Sequence, residues 1–453
     1  MRDEPARSRT TGAPGRSTFP GRLLAAVGVA LPGALLGAAD YLGWPHPEPS
    51  PPLAAAVFGV AIVGAAFVLS WAAEAAQVDI GAGLAIAVLA VLAVLPEYAV
   101  DLVFTYQAGR HYAEHGACGQ AGGADPCSLA LANMTGANRI LVGLGWPLVV
   151  LVATVSAVRA RRRSESAKPG RVALAPAMSA DVVFLGLATL YSLTLPLRTS
   201  LTLLDAAVFV GIFAAYAWRL SKAPAEEPDL VGVAAWVGGK PTRARRGLVV
   251  GLFAVAGLVI LTTAEHFAEN LVRTGGLLGV DEFLLVQWVA PLASESPELI
   301  VACLFAARLK ASESLGTLLS SKVNQWTLLV GTIPVVFALS AGTTDGLPLD
   351  DHQRLELLLT AAQSLFAVAI LADLGLTAIG AVSLLALFGV QFTASLTLPD
   401  DANRVVIVVL SAAYALLAAL QVLRHRHDVT RTVRDGLRTP FPELIRQSPG
   451  RDS

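Results

Sequence analysis

The sequence predicts an all-α polytopic membrane protein of about twelve transmembrane helices. Two inverted five-helix repeats make up most of it, with one extra helix at each end. Three observations carry that prediction: apolar runs long enough to cross a bilayer, a lopsided distribution of basic residues, and an internal repeat. Of the 453 residues, 55% are hydrophobic and 15% charged, and the mean hydropathy is +0.62. A water-soluble domain has too little interior for so much apolar surface.

The apolar runs fall near 22–41, 53–77, 81–105, 127–158, 179–197, 201–221, 247–272, 281–307, 315–340, 354–373, 375–395 and 403–423. As helices they cross ~30 Å of hydrocarbon. The first run follows four arginines and begins with a fifth, which leaves two readings open. It is a retained helix, or a signal peptide removed after Gly37-Ala38-Ala39, a poor match to the usual small-residue cleavage triplet.

Basic residues orient the chain. With the N-terminus in the cytoplasm, the inner segments hold 26 of the 33 Lys and Arg. Only Arg110, Arg198, Arg273, Arg354 and Arg404 fall outside, and Arg139 and Lys322 lie within membrane segments. This follows the positive-inside rule, so a multi-pass protein of the cell membrane with both termini cytoplasmic is expected. The net charge of −1 offers no basic surface for a nucleic acid.

The Pro-rich, then basic stretch 222–246 divides the chain into halves that resemble each other. LPEYAVDLVF (95–104) aligns with SPELIVACLF (296–305), and SLALANMTGANRILVGLG (128–145) aligns without gaps to SESLGTLLSSKVNQWTLL (312–329). Under the topology above, the helix carrying Glu97 runs outward and the one carrying Glu298 runs inward. Inverted halves with interrupted helices are the architecture of many secondary transporters. The expected organisation is a cytoplasmic tail (1–21), an extra helix (22–41), a first repeat (53–221), a cytoplasmic linker (222–246), a second repeat (247–396), an extra helix (403–423) and a second tail (424–453).

Four carboxylates sit well inside these segments: Glu97, Asp101, Glu295 and Glu298. Even on a lenient scale each costs ~3 kcal/mol at the bilayer centre, so they must face protein or water. Glu97 and Asp101 share one helix face, as do Glu295 and Glu298. A proline precedes Glu97 and Glu298, freeing the carbonyls of Leu92 and Ala293 one turn back. Carboxylates with liberated carbonyls form the oxygen-only ligand set that a hard cation takes. The competing reading pairs these carboxylates with Arg139 and Lys322 to lock helices together. Asp101 is the expected partner of Arg139. No nucleophile elbow, phosphate loop or metal-binding His/Cys spacing points to an enzyme.

The two P-E helices, each followed by a small-residue helix, resemble the repeats of the sodium/calcium exchanger (cation/Ca²⁺ antiporter) superfamily. Its usual pattern is G-T-S-x-P-E, then G-N-x-x-G-S-N-x-x-N. The resemblance spans roughly 53–396 and implies that Glu97 and Glu298 hold the transported cation between the repeats. It places Glu74 and Glu269 at the acidic ends of each repeat's first helix. Ala93 and Val94 replace the hydroxyl pair in repeat one, whereas Ser294 and Glu295 follow in repeat two. Asn133, Gly136 and Asn138 survive in the first small-residue helix, but Ala137 and Leu141 depart from the pattern. Ser321 and Gln325 remain in the second, where Lys322 takes the place of the middle Asn and brings a fixed positive charge.

The resemblance therefore implies an ion site of Glu97, Glu298, Glu295, Ser294, Ser321, Gln325 and Asn138, with Asp101, Arg139 and Lys322 as charge partners. The metal ligands proper are Glu97 and Glu298. It implies alternating access by sliding of 53–77 and 247–272, a single chain as functional unit, and no cofactor beyond the transported cation, Ca²⁺ or Na⁺, with H⁺. Three functions stand: exchange of Ca²⁺ or another cation for H⁺ or Na⁺, a Na⁺/H⁺-type exchanger, or a non-transporting membrane sensor or assembly protein with Lys322 plugging the site.

Among the remaining features, Cys118 and Cys127 form a disulfide in the outer connection or stand as two thiols. Cys303 reads as an apolar filler, and the Gly-rich stretch 116–125 as an outer loop. Tyr216 and Trp218 read as interfacial anchors, His266 as part of a polar helix end or a proton relay, and RHRHD (424–428) as a basic helix flank.

Overall fold

A computed structural model describes residues 21–79, 95–119, 125–161, 170–224 and 230–447. The N-terminal helices are α1 (Gly21–Tyr41), α2 (Pro51–Ala76) and α3 (Leu95–His115). Next come α4 (Pro126–Ile140) and α5 (Trp146–Arg161), joined by a π-helical turn at Leu141–Gly145, then α6 (Ser179–Ser192) and α7 (Leu203–Leu220). A short α8 (Gly232–Gly238) precedes α9 (Thr242–Leu278) and α10 (Glu282–Ala307). Helices α11 (Ala311–Asn324) and α12 (Val330–Ala341) are joined by a second π-helical turn, Gln325–Leu329. Helices α13 (Asp351–Ile370), α14 (Ala378–Thr397), α15 (Asp400–Arg424), α16 (Arg426–Leu437) and α17 (Phe441–Arg446) complete the chain.

Among the described residues ten helical spans are long and apolar enough to cross a membrane, and the bent α10 makes an eleventh. All eleven coincide with expected runs. The twelfth, 81–105, lies partly outside the described residues, which resume at Leu95 in α3.

The repeat is visible in the backbone. The alignment of 128–145 with 312–329 sets Leu141 against Gln325 and Gly145 against Leu329, the bounds of the two π-helical turns. Two small sheets carry the same relation. Strand β1 (Arg171–Ala173) follows α5 and pairs antiparallel with β4 (Gly375–Thr377), which follows α13. Strand β2 (Ser200–Leu201) follows α6 and pairs with β3 (Leu347–Pro348), which follows α12. Thus β1 and β3 occupy equivalent places, as do β2 and β4, and exchanging the halves turns one sheet into the other. Because α6 crosses the membrane between β1 and β2, the two sheets lie at opposite ends of the bundle.

Two apolar clusters define two bodies, and a third lies between them. One joins α1, α2, α8 and α9; the larger gathers α3 to α7, α10 to α15 and α17; the third packs α2 and α9 against α3, α4 and α10. Helix α1, expected as an addition, lies against both α2 and α9. A Cβ on its Gly37 would fall 1.8 Å from the Thr262 carbonyl oxygen, so glycine permits that approach. Tyr41 donates to Glu265 at 2.5 Å, and His266 lies 3.7 Å from Asp40. His266 therefore belongs to a helix-end network between α1 and α9.

Several segments depart from the expectations. The linker 222–246 contains α8, packed on α2, and α9 starts within it. At 37 residues α9 is about 55 Å long, well beyond the hydrocarbon thickness. The tail after 424 folds back as α16 and α17. Arg219 donates to the carbonyls of Gly436 (2.8 Å), Asp435 (3.2 Å) and Thr439, covering the C-terminal end of α16, where last-turn carbonyls lack helical donors. Thr432 bonds the Ala372 carbonyl at 2.7 Å, and Phe441 and Leu444 are buried. Tyr216 is no interfacial anchor: it is buried and donates to Asp181 at 2.5 Å, because the polar partner lies inside the bundle. Trp218 is exposed beneath the Lys222 ammonium. Cys118 and Cys127 are joined in a disulfide.

Asp79 ties the ends of α2 and α9 by accepting from Arg245 Nε and Nη2, both at 2.7 Å, and from Arg246 at 3.2 Å. The Arg245 bonds draw the Asp79 carboxyl down to about 2. A lowered carboxylate stabilises the fold fully above its ordinary value and loses that contribution only as pH falls through about 2, so the link holds throughout neutral pH. Asp79→Asn should therefore loosen the start of α9 at pH 7, read as faster hydrogen exchange of amides 242–248 with the rest of α9 unchanged.

Candidate functional site

Five helices position the carboxylates. Glu97 and Asp101 lie one turn apart on α3, both buried. Ser294, Glu295 and Glu298 come from the middle of α10, which is bent by 51° between Glu282–Ser296 and Glu298–Ala307. The bend coincides with Pro297, where the helix lacks an amide donor. Of the freed carbonyls, Leu92 falls outside the described residues. Helix α4 contacts both α3 and α10, and α11 contacts α10, so all four enclose one interior volume. Helix α2 packs on α10 from the other body.

The carboxylates converge. Glu97 lies within electrostatic reach of Glu298 and Asp101 and faces the Ser294 hydroxyl. Glu295 senses Glu97, Glu298 and Lys322, and Glu298 faces Ser321. Both oxygens of Glu97 lack a hydrogen-bond partner among the described residues, as do Asp101 Oδ2, Glu295 Oε2, Glu298 Oε2, Ser321 Oγ and Gln325 Oε1. Buried oxygens without donors are costly, and so many in one place make a cradle for a cation or protons.

The partners differ from expectation in three places. Arg139 pairs with Glu356 on α13 at 2.5 Å, not with Asp101, which instead accepts from Asn133 at 2.7 Å. Asn133 and Arg139 are six residues apart, about 240° around α4, so one faces α3 while the other faces α13. Asn138 donates to the Met134 carbonyl at 2.8 Å, and its side-chain oxygen accepts from Lys322 Nζ at 2.7 Å. That occupies the oxygen expected to meet the ion. Gln325 donates to Glu295 and orients it. Among the described residues, Glu74 meets Ser70 at 3.5 Å and Glu269 lies 3.6 Å from Arg273 along α9, and neither joins the cluster.

Sequence reasoning missed the network around Arg139. Glu356 also accepts from Gln287 at 3.0 Å and lies 3.5 Å from His352, while Trp288 stacks 5.2 Å from the guanidinium. The available signal was a glutamate within an apolar run, RLELLL at 354–359. Asp181 was missed too; it accepts from Tyr216 and, at 2.8 Å, from Ser320.

Inverted repeats that enclose carboxylate oxygens without partners among the described residues define the class: a multi-pass membrane transporter. The chain belongs to the sodium/calcium exchanger protein family, whose model matches residues 50–222 and 248–423, and is thus a cation antiporter. It is similar to a crystal structure of the H⁺/Ca²⁺ exchanger CAX, with 40% identity, coverage of 94% of this chain and 98% of that one, and a TM-score of 0.80. It shares its fold with the Ca²⁺/H⁺ antiporter protein YfkE, at 14% identity, with coverage of 87% and 99% and a TM-score of 0.54. None of the curated proteins matches the chain.

The Arg139–Glu356 pair yields a stability test. Arg139→Leu leaves Glu356 buried without its charge partner and should cost about 3–5 kcal/mol, read by thermal unfolding in detergent. Arg139→Leu with Glu356→Leu should recover most of that loss.

Proposed function

We propose that the protein exchanges Ca²⁺ for H⁺ across the cell membrane by alternating access, with both termini in the cytoplasm. The observation that carries this reading is the set of buried, unpartnered oxygens contributed by both repeats, 53–221 and 247–396. Glu97 and Glu298 are the ligands, one from each half, with Ser294, Ser321 and Glu295 completing the cradle. Oxygen donors at this density suit a hard divalent cation, and carboxylates released by that cation take up protons. Sodium coupling is disfavoured: Ala93 and Val94 carry no side-chain oxygen, and Asn138 is committed to Lys322. The likeness to an H⁺/Ca²⁺ exchanger supports the same choice.

Each half-cycle needs the two bodies to shift. The body of α1, α2, α8 and α9 has its own apolar cluster and is tied at both ends, by Asp79 with Arg245 and by Tyr41 with Glu265. It moves as a unit past the rest and opens the carboxylates to one face and then the other. The chain's own groups only bind, orient and release; no bond in a substrate is made or broken.

Inverted vesicles under an imposed pH gradient test this reading. They should accumulate radiolabelled Ca²⁺, and Glu97→Gln or Glu298→Gln should reduce uptake to background. Flux of sodium alone would establish a Na⁺/H⁺-type exchanger instead. No flux of any cation would mark a non-transporting sensor or assembly protein.

A further inference from the structure

Asn138 and Lys322 are equivalent residues that touch. The gapless alignment pairs them, and the π-helical turns that begin three residues later in each half keep that register in the backbone. Lys322 Nζ donates to Asn138 Oδ1 at 2.7 Å and to the Asn138 carbonyl oxygen at 3.1 Å. Equivalent positions of two symmetry-related halves meet only near the axis that relates them, so this bond marks the centre of the inverted pair. Both residues are fully buried.

The ammonium is held as an ion would be. Two donors go to a carbonyl and an amide oxygen, the Trp326 ring lies 4.7 Å away, and Glu295 stands within reach of the charge. A ring face and a carboxylate both favour a cation at this point. Arg139, the other buried cation nearby, is already matched by Glu356. The two Asn138 oxygens that meet the lysine are of the kind that ligate Na⁺ or Ca²⁺, and the lysine that fills them stands within electrostatic reach of Glu295.

We propose that Lys322 is a resident, covalently attached cation that fills the Asn138 oxygen pair and thereby excludes sodium from the exchange site. The lysine is then a specificity-determining residue. Its ammonium satisfies the oxygens that a second, monovalent cation would need and offsets Glu295, while leaving Glu97 and Glu298 to meet the divalent cargo. The inference rests on the reading of the chain as a Ca²⁺/H⁺ exchanger and deepens it.

The test uses the purified full-length protein. Thermal unfolding in NaCl, with choline chloride as reference, should show no sodium effect on the native chain. In Lys322→Gln the melting temperature should rise with the logarithm of sodium concentration, as expected of a ligand that binds only the folded state. In proteoliposomes a sodium gradient should drive Ca²⁺ uptake by Lys322→Gln and not by the native protein. Lys322→Arg, which keeps the cation, should remain indifferent to sodium. Where Lys322→Gln is too unstable to purify, Lys322→Gln with Glu295→Gln removes the unmatched charge and carries the same sodium measurement. A native protein that already responds to sodium, or a folded Lys322→Gln that does not, overturns the proposal. Failure of the parent reading is separate: it is absence of pH-driven Ca²⁺ uptake by the native chain.

Discussion

A charge buried in a membrane bundle must find a partner, and that constraint organises the interior. Arg139 is matched by Glu356, which also accepts from Gln287. Asp205 is bound by Arg198, Tyr191 and Thr202, and Asp181 by Tyr216 and Ser320. Lys322 has the Asn138 oxygens. Against that background the bare oxygens of Glu97, and those of Glu295 and Glu298, stand out. Each of those charged groups has a protein partner among the described residues, whereas both oxygens of Glu97 and one oxygen each of Glu295 and Glu298 have none. On the proposed exchange reading, the contrast separates groups that hold helices from groups that hold cargo.

The same economy shapes the two bodies. The larger body is stitched at one end by β1–β4 and the Arg171–Asp373 ion pair at 3.0 Å. At the other end it is stitched by β2–β3 and the bond from Arg354 to the Pro196 carbonyl at 2.8 Å. Arg219 adds the C-terminal helices to this frame. The smaller body touches the frame through apolar and small-residue surfaces, which slide at lower cost than bonded ones. Its polar ties are internal, from α1 and the end of α2 to α9.

Much of this was legible in the sequence. Hydropathy found the spans, since hydrocarbon thickness sets a length that few other constraints mimic. Two short alignments fixed the repeat to the residue, as the π-helical turns bear out. The P-E pairs located the carboxylates because a glutamate beside a proline in an apolar run costs too much to persist without a use. What stayed hidden depended on direction around a helix and on distant neighbours. Arg139 turned toward α13 rather than Asp101, Tyr216 pointed inward, and Asn138 gave its oxygen to Lys322. Residues 424–428 read as a basic flank and 424–453 as a tail, because the partners of Arg219 are backbone carbonyls, which no side-chain pattern announces.

The two small sheets have a consequence for how such a molecule could arise. Each strand of one half is bonded to a strand of the other half that is its opposite in order, never to its own. A half-length ancestor built this way could have closed its strand edges only by meeting an upside-down copy of itself, so a dual-orientation homodimer is the form from which fusion would yield the present single chain.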